Sequence, residues 1–373
     1  MKFVANKEDL LNGIRIVERA TIVRGLQPVL ANVLIETIGD NQIKLTATDF
    51  DLSITTLINA TVESEGKFTL PAKKLGEIIS RLNDDLIKLE LNGSTATITC
   101  KNSKFDIIGI SANEFPQVEE NISENDCMEI ETLPFTKAIR QVVSAAAGYE
   151  TNNLLSGVVC QVNKNVLEMA ATDGNRLARV REVVKNNSAD EEKPFEMLIS
   201  SKVLSELSKI ALITNSETIK ICKEMKKIVM TIDKTKVITR LMLGQFPKYN
   251  QLVPQRFPKE AVVNKFDLMS ALERVAVMVN EKNSIVKFEF GNNILKLSGD
   301  SPEAGNSQDE IDIKYTGESL AIAFNYKFIL EFLKIVEAEE IKIQLNSSLS
   351  ATVFVPCSDE DYIYLVMPVQ LRG

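Results

Sequence analysis

The amino-acid sequence predicts an α+β fold made of three tandem copies of one domain, each with two helices packed on antiparallel sheets. Two observations carry this prediction. Three short markers recur in one order at a spacing of roughly 120–130 residues, and helical and strand-like segments alternate in the same way in each copy. The spacing is far longer than a solenoid repeat and matches a whole domain. We therefore expect domains at residues 1–124, 125–254 and 255–373.

The first marker is a lysine that follows an apolar, strand-like run and opens a helical segment, with a glutamate four residues later on the same helical face. It occurs at Lys73, Lys202 and Lys327. The second marker is an aspartate at the end of a strand-like run, at Asp49, Asp173 and Asp300. The third is a proline preceded by Phe or Met, at Pro116, Pro247 and Pro368.

Helical periodicity opens each copy, at residues 9–18, 136–145 and 267–278. Strand-like runs follow at 33–37, 95–99, 105–110, 158–162, 219–222, 228–232, 285–290 and 341–345, and turn residues such as those at 92–93 separate many of them. The acidic, polar stretch 119–126 and the proline-containing stretch 253–258 are the expected linkers.

Composition excludes several kinds of function. The chain carries 43 Lys and Arg against 51 Asp and Glu, a formal net charge of −8, which taken alone argues against nonspecific binding to polyanions. Histidine is absent, which excludes Ser-His-Asp and Cys-His catalysis and His-ligated zinc. No glycine-rich phosphate loop occurs, so the sequence favours no class of enzyme.

The five cysteines, Cys100, Cys127, Cys160, Cys222 and Cys357, are odd in number and distant from each other in sequence. We expect no disulfide framework and no zinc site, and interpret these residues as small buried hydrophobes in a reducing compartment. No apolar run approaches the length of a membrane span, so a cytoplasmic location is expected.

Three segments carry a resemblance to a known family: Ala-Thr-Asp-Gly-Asn-Arg-Leu at 171–177, Gly-Gln-Phe-Pro-Lys-Tyr at 244–249 and Tyr-Leu-Val-Met-Pro-Val at 364–369. With the triplication, they make the whole chain resemble the bacterial DNA sliding clamp, the β subunit of DNA polymerase III. The resemblance implies a head-to-tail homodimer that closes as a ring around double-stranded DNA of any sequence, with no active site, metal or cofactor. It also implies that the polymerase III α subunit, the clamp loader and repair polymerases dock short linear motifs into a groove between domains two and three.

The resemblance also assigns residues to these roles. The partner-peptide groove is expected at Leu155, Thr172, Gly174, Asn175, Arg176, Leu177, Pro247, Leu252, Leu349, Leu365, Met367, Pro368 and Val369. The DNA-facing residues are expected at Arg24, Lys73, Arg81, Lys137, Arg140, Tyr149, Lys202, Lys209 and Lys327, most of them on helical segments, which would reconcile the net negative charge with DNA. The dimer seam is expected at Lys74, Phe105, Val277 and Met278.

Other interpretations remain open at this point. Asn175 replaces a histidine frequent in the family, and the residues at 152–154 also depart from some relatives, so peptide preference and DNA contact can differ in detail. Without the resemblance, an ordinary strand core is the favoured interpretation of Leu177, Leu365 and Met367, whereas the groove interpretation makes Arg176 a polar edge. A carboxylate-dependent metal nuclease using the clusters at 49–51 or 359–361, and a protein scaffold without DNA, are the rival functions.

Overall fold

A computed structural model of the chain describes residues 1–22, 27–83, 85–124, 126–148, 154–185, 194–254, 256–280, 284–301 and 305–370. Arg24, Tyr149 and residues 152–153, which the sequence singled out, lie outside the described residues. The chain forms two compact units. The first comprises Met1–Leu133, Lys185–Asp190 and Glu206–Leu241, and the second comprises Pro134–Val184, Glu191–Ser205 and Met242–Gly373.

The element order confirms the triplication, because strand, helix, four strands, helix and three strands repeat along the chain. The first copy contains β1 (Lys2–Asn6), α1 (Lys7–Val17), β2 (Asn32–Ile38), β3 (Gln42–Thr48), β4 (Leu52–Ser64), β5 (Lys67–Pro71), α2 (Ala72–Arg81), β6 (Leu86–Asn92), β7 (Thr95–Cys100) and β8 (Ser103–Ile108). The second contains β9 (Cys127–Glu131), α3 (Thr132–Val142), β10 (Gly157–Asn163), β11 (Val166–Thr172), β12 (Arg176–Val183), β13 (Phe195–Ser200), α4 (Ser201–Thr214), β14 (Thr218–Glu224), β15 (Lys227–Ile232) and β16 (Thr235–Arg240).

The third copy adds one short strand to the same order. It contains β17 (Lys259–Asn264), α5 (Lys265–Ala276), β18 (Ile285–Gly291), β19 (Ile294–Ser301), β20 (Gly305–Asp312), β21 (Lys314–Thr316), β22 (Leu320–Asn325), α6 (Tyr326–Ile335), β23 (Glu340–Leu345), β24 (Thr352–Pro356) and β25 (Tyr362–Val366). The predicted helices and strands are all present, with ends shifted by a few residues. The sequence analysis missed the strand that opens each copy.

The copies are joined by antiparallel strand pairing. In the first unit, β4 pairs with β16, so that Leu52 lies opposite Thr239 and Ser53 opposite Ile238. In the second unit, β12 pairs with β25 in the same manner. Continuous sheets therefore run from the first copy into the second and from the second into the third, and we call these pairings the first and second junctions.

Asparagine caps start three of the helices at equivalent positions. The side chains of Asn6, Asn264 and Asn325 accept hydrogen bonds from backbone N–H groups of the first turns of α1, α5 and α6. Each helix buries one apolar face, for example Leu268, Leu272 and Val275 of α5, as its periodicity predicts.

The aspartate marker has two different environments. In the first and second copies it caps the turn between two strands, β3–β4 and β11–β12. In the third copy Asp300 instead lies within β19, opposite Asn306 of β20. The structural equivalence of this marker therefore holds for two copies and not for the third.

The acidic linker after the first copy is held by lysines of the neighbouring strands. Glu120 forms ion pairs with Lys44 of β3 at 3.2 Å and with Lys236 of β16 at 3.8 Å. Lys227 of β15 donates a hydrogen bond to the Asn121 carbonyl at 2.7 Å. The linker is thereby fixed beside the first junction.

The expectation for the cysteines is wrong in part. Cys127 and Cys222 form a disulfide across β9 and β14, with their Cα atoms 4.1 Å apart, and Cys357 is exposed. The strand register places Cys127 opposite Cys222 although 95 residues separate them in sequence, so no local pattern could reveal the pair. Cys100 and Cys160 are buried thiols, as expected. None of the helices in the described part of the chain is both long and apolar enough to cross a membrane.

Candidate functional site

The turn between β11 and β12 is built by its own side chains. The Thr172 hydroxyl donates to the carbonyl of Arg176 at 2.6 Å and accepts the N–H of Gly174 at 3.1 Å. The Asp173 carboxylate accepts the N–H groups of Asn175 and Arg176 at 2.8 and 3.0 Å. Gly174 has φ of 91°, a left-handed conformation that glycine adopts without strain. The turn therefore exposes Gly174 and Asn175 at a defined position.

Arg176 is buried within the second unit and joins several elements through its side-chain contacts. It is not the exposed polar edge that was expected from the sequence. It is 8% exposed, its guanidinium contacts Asp173 at 3.1 Å and the Tyr364 hydroxyl at 3.2 Å, and it also pairs with Glu331 of α6. Its guanidinium carbon lies 4.3 Å from the centre of the Phe328 ring. Burial by itself disfavours the charged guanidinium, but the neighbouring Tyr364 and Glu331 outweigh it and raise the pKa of Arg176.

Replacing Arg176 with lysine is expected to lower the free energy of unfolding by about 1–2 kcal/mol, because one ammonium cannot reproduce the planar set of contacts. Thermal or urea unfolding measures the change. The matched control is Arg181→Lys, whose half-exposed ion pair with Glu168 should change stability by no more than about 0.5 kcal/mol. Equal losses for the two variants would contradict the role assigned to Arg176.

The C-terminal tail is fixed by backbone bonds on both sides of Pro368. The N–H of Met367 donates to the carbonyl of Asn175 at 2.8 Å, and the N–H of Val369 donates to the carbonyl of Ala323 in β22 at 2.8 Å. The backbone of Met367 is thereby ordered against the turn, while its side chain is 42% exposed. Exposed apolar side chains mark a binding surface when several of them lie together, so Met367 is considered together with the other exposed apolar residues.

The segment 244–252 is attached to the same core, because Tyr249 belongs to one buried cluster with Leu177 of β12 and Leu365 of β25. The Tyr249 hydroxyl donates to the Glu168 carboxylate, and the Tyr249 ring packs edge-on against Phe246. Burial disfavours the Glu168 carboxylate, but hydrogen bonds from Tyr249 and Arg181 more than compensate and lower the pKa of Glu168. Gly244 begins the segment against Leu154, which leaves no room for a Cβ atom.

The expected groove residues divide into a core and an exposed set. Leu177 and Leu365 are 1% and 3% exposed and belong to one cluster with Val159, Leu198 and Tyr249, as the core interpretation predicted for them. Met367 does not fit that interpretation. Leu252 and Leu349 are 53% and 64% exposed, and Pro247 is exposed as well. Leu155 is half-buried in the short 3-10 helix Leu154–Ser156, beside the Gly244 contact, and Pro368 and Val369 are partly buried.

The expected DNA-facing cations also fall into two groups. Lys73, Arg81, Arg140 and Lys327 are exposed on helices and form no ion pair with another described residue. Lys137 and Lys209 are engaged: Lys137 contacts Glu182 and Asp359, and Lys209 contacts Glu206 at 2.7 Å. Lys202 is partly buried and has a partner as well.

The expected seam residues lie on β8 and α2 and just after α5. Phe105 of β8 is 39% exposed, Val277 at the end of α5 is 78% exposed, and Met278 is partly buried. Lys74 of α2 is exposed and pairs with Glu77 at 3.1 Å. The sequence analysis missed Ile108, which is 72% exposed at the end of β8.

It also missed the groups that hold Arg176. Glu331 was available as the glutamate of the lysine marker and Tyr364 as the first residue of the segment 364–369, but neither pattern pointed to Arg176, and Phe328 gave no signal.

The fold and the site together define a class of protein: a triplicated α+β chain with exposed cations on its helices and exposed apolar side chains around one junction. Three family models match it in order, for the N-terminal domain of the DNA polymerase III beta subunit over residues 1–119, the central domain over 129–248 and the C-terminal domain over 250–370. The chain belongs to this family, the bacterial β sliding clamps. Members are non-catalytic processivity factors that act as homodimeric rings.

Relatives match over the full length. The chain is 36% identical to the beta sliding clamp of Synechococcus elongatus, with 100% of both chains covered, and 28% identical to that of Bacillus subtilis, with 99% and 100% covered. Among solved structures, the DNA polymerase III beta subunit of Thermotoga maritima matches with a TM-score of 0.92 and 30% identity, covering 100% of both chains. The Pseudomonas aeruginosa sliding clamp bound to griselimycin matches with a TM-score of 0.89 and 27% identity, again covering 100% of both chains.

Proposed function

We propose that this clamp tethers its partners through the groove at the second junction. Its walls are the turn 172–176, the segment 244–252, the hairpin residue Leu349 and the tail from Met367 to Val369. The carrying observation is that Met367 is ordered by a hydrogen bond to Asn175 while its side chain stays exposed. Leu252 and Leu349 add exposed apolar side chains to the proposed groove. Such a surface suits a short peptide with aliphatic and aromatic anchors.

The groove is formed by elements that are held independently of any ligand. Arg176 ties the turn to α6 and β25, and Tyr249 anchors the segment 244–252 through Glu168. A groove that is already ordered loses little conformational entropy when a peptide binds. Met367 is also adaptable in shape, which suits a groove that takes motifs from several partners.

Of the expected DNA-facing residues, we propose that Lys73, Arg81, Arg140 and Lys327 contact the DNA backbone. These side chains are exposed on α2, α3 and α6 and make no ion pair with another described residue, so their charge is available to phosphates. Lys137 and Lys209 are already neutralised by carboxylates and should contribute less. A few diffuse phosphate contacts suit a ring that slides, because no base edge is read.

Reversing Arg81 and Lys327 together to glutamate is expected to weaken equilibrium binding to short duplex DNA about tenfold at low salt. The slope of log affinity against log salt should fall by about 2, one unit for each cation that no longer meets a phosphate. The matched control reverses Lys67 and Lys234, which are exposed on β5 and on the turn before β16. Fluorescence anisotropy over a salt series measures both. A control that loses as much affinity as the test variant would refute the selection.

For the dimer seam, we propose that the free edge of β8 meets the free edge of β20 of the partner subunit. Within the described part of the chain, β8 pairs only with β7, and β20 pairs only with β19. Unpaired edges are templates for adding a strand. Phe105, Ile108 and Val277 supply exposed apolar surface at these edges. The free edge of β20 carries the carboxylates of Glu310 and Asp312, and exposed Lys104 of β8 offers a cation of opposite charge.

We also propose that the domain boundaries lie near residues 124 and 254 and that the protein is cytoplasmic. The boundaries are supported by the gaps between the three family matches, at 120–128 and at 249. The location is supported by the role of the family, since a bacterial replication clamp works where the chromosome is.

A further inference from the structure

The acidic linker crosses one face of the sheet at the first junction. Side chains of directly paired residues point to the same face of a sheet, and every second residue along each strand joins them. The register defines this face by one row of paired residues, which consists of Thr46 of β3, Thr55 of β4, Lys236 of β16, Thr231 of β15 and Lys220 of β14. We call it the lysine face.

Positive charge predominates on the lysine face. Over the paired parts of these five strands, alternation places one carboxylate on it, that of Glu224, while Glu36 of β2 and Glu129 of β9 lie at its two flanks. The cations that the same strands place on it are Lys44, Lys220, Lys227, Lys236 and Arg240. A surface with this balance of charge attracts polyanions unless something covers it.

The helices of the first copy pack on the opposite face of the sheet. Leu45 and Ile58 alternate with residues of the lysine face and are buried, and a Cβ atom added at Gly13 of α1 would meet both of them. Lys73 and Arg81, which we propose to contact DNA, are carried by α2, which packs beside α1. The first unit therefore carries cations on two opposite sides.

Glu120 of the acidic linker bridges the strands on the two sides of β4. It pairs with Lys44 of β3 at 3.2 Å and with Lys236 of β16 at 3.8 Å. Burial disfavours the Lys44 ammonium, but hydrogen bonds and attraction to Glu120 and Glu36 outweigh it and raise the pKa of Lys44. Lys44 is therefore charged at neutral pH and already has carboxylates as partners.

Glu119 and Glu124 of the acidic linker reach the other two lysines of the lysine face. Glu124 pairs with Lys220 at 2.9 Å, and the hydrogen bond from Lys220 lowers the pKa of Glu124. Glu119 lies 4.0 Å from Lys227, whose ammonium also donates to the Asn121 carbonyl at 2.7 Å. Each of the four lysines thus has a linker carboxylate beside it.

These ion pairs matter more for binding than for folding. The side chains of Glu119 and Glu124 are 84% and 76% exposed, and exposed ion pairs contribute little to the stability of a fold. Their effect on the surface potential is larger, because a lysine that faces a carboxylate attracts a phosphate less strongly. The arrangement therefore points to control over what the lysine face can bind.

We propose that the acidic linker masks the lysine face and so restricts nucleic acid to the helix side of the sheet. The linker acts as an intramolecular competitor of the phosphate backbone, because its carboxylates occupy the lysines that phosphates would otherwise neutralise. The proposal rests on the DNA contacts proposed above for the helices, and it explains how the strand side is kept from competing with them.

The test uses the full-length protein with Arg81→Glu and Lys327→Glu as background, which weakens binding at the helices. Adding Glu119→Gln, Glu120→Gln and Glu124→Gln uncovers the lysine face. The affinity for a fluorescein-labelled DNA duplex of about 16 base pairs should then rise at least about fivefold at about 50 mM salt, and the slope of log affinity against log salt should steepen by about 2. Fluorescence anisotropy over a salt series measures both.

The matched control removes three other glutamates and so makes the same change in net charge. Glu65→Gln, Glu114→Gln and Glu318→Gln replace exposed side chains that form no ion pair with a described residue. In the same background these three changes should alter the affinity by less than about twofold, because charge far from a binding surface is screened by salt.

Three outcomes would overturn the proposal. The first is no gain of affinity when the linker is neutralised, which would make the linker a structural connection only. The second is an equal gain in the control. The third is a gain that persists when Lys44, Lys220 and Lys236 are also replaced by glutamine. The helix contacts are assessed separately, by the loss that Arg81→Glu with Lys327→Glu causes while the linker is unchanged, so either proposal can fail alone.

Discussion

Replacing Met367 with alanine is expected to weaken binding of a polymerase-derived peptide by about 10–100-fold and to leave the dimer intact. The loss corresponds to about 1.4–2.8 kcal/mol, the range of a central apolar contact at an interface. The fold should survive because the Met367 side chain is 42% exposed, while the backbone hydrogen bond to Asn175 is independent of the side chain. Isothermal titration calorimetry gives the affinity, and sedimentation gives the oligomeric state.

Two further variants make this result specific. Met225→Ala removes a more exposed methionine at the first junction and should leave the affinity for the polymerase-derived peptide unchanged. Leu365→Ala removes a side chain that is 3% exposed in the core below and should lower the free energy of unfolding by about 2–5 kcal/mol. An affinity that Met367→Ala does not alter would count against the groove.

Replacing Val277 with lysine is expected to convert the dimer to monomer and to abolish retention on circular DNA. A charged group buried without a partner in the seam costs several kcal/mol, so the dimer dissociation constant should rise by on the order of 1000-fold. Lysine is compatible with the fold at this position, because Val277 is 78% exposed and a cation is favourable at a helix C-terminus. Analytical ultracentrifugation at low protein concentration measures the dissociation.

Retention on DNA follows from the same variant. A closed ring cannot leave circular DNA, whereas it slides off a linear molecule, so the unmodified protein should persist on circular plasmid and be lost from linearised plasmid. Val277→Lys should be lost equally from both. Met278→Lys is a second seam variant, and Leu212→Lys, at a position 76% exposed on α4, is the control that should stay dimeric. A persistent dimer for both seam variants would remove these residues from the interface.

Periodicity and repeats determined much of this protein. The triplicated α+β fold and most of its helices and strands are visible in the sequence, because a helix or strand buries one face and repeats that pattern locally. The residues expected in the groove came from the family resemblance instead. The aspartate marker at the end of a strand-like run was visible as well, and at 172–176 it belongs to a turn whose Thr and Asp side chains bond to backbone groups only two to four residues away.

The tertiary structure decided what depends on partners distant in sequence. The register of β9 against β14 placed Cys127 and Cys222 close enough to form a disulfide. The packing of α6 against the turn at 172–176 brought Glu331 to Arg176, which is therefore buried in an ion pair. The tertiary structure also decided which side chains are exposed. Leu177 and Leu365 are buried and Met367 is exposed, although all three fit a strand core in the sequence. The physical reason is that a residue's own chemistry sets which contacts it can make, while only the folded chain sets which groups are near enough to make them.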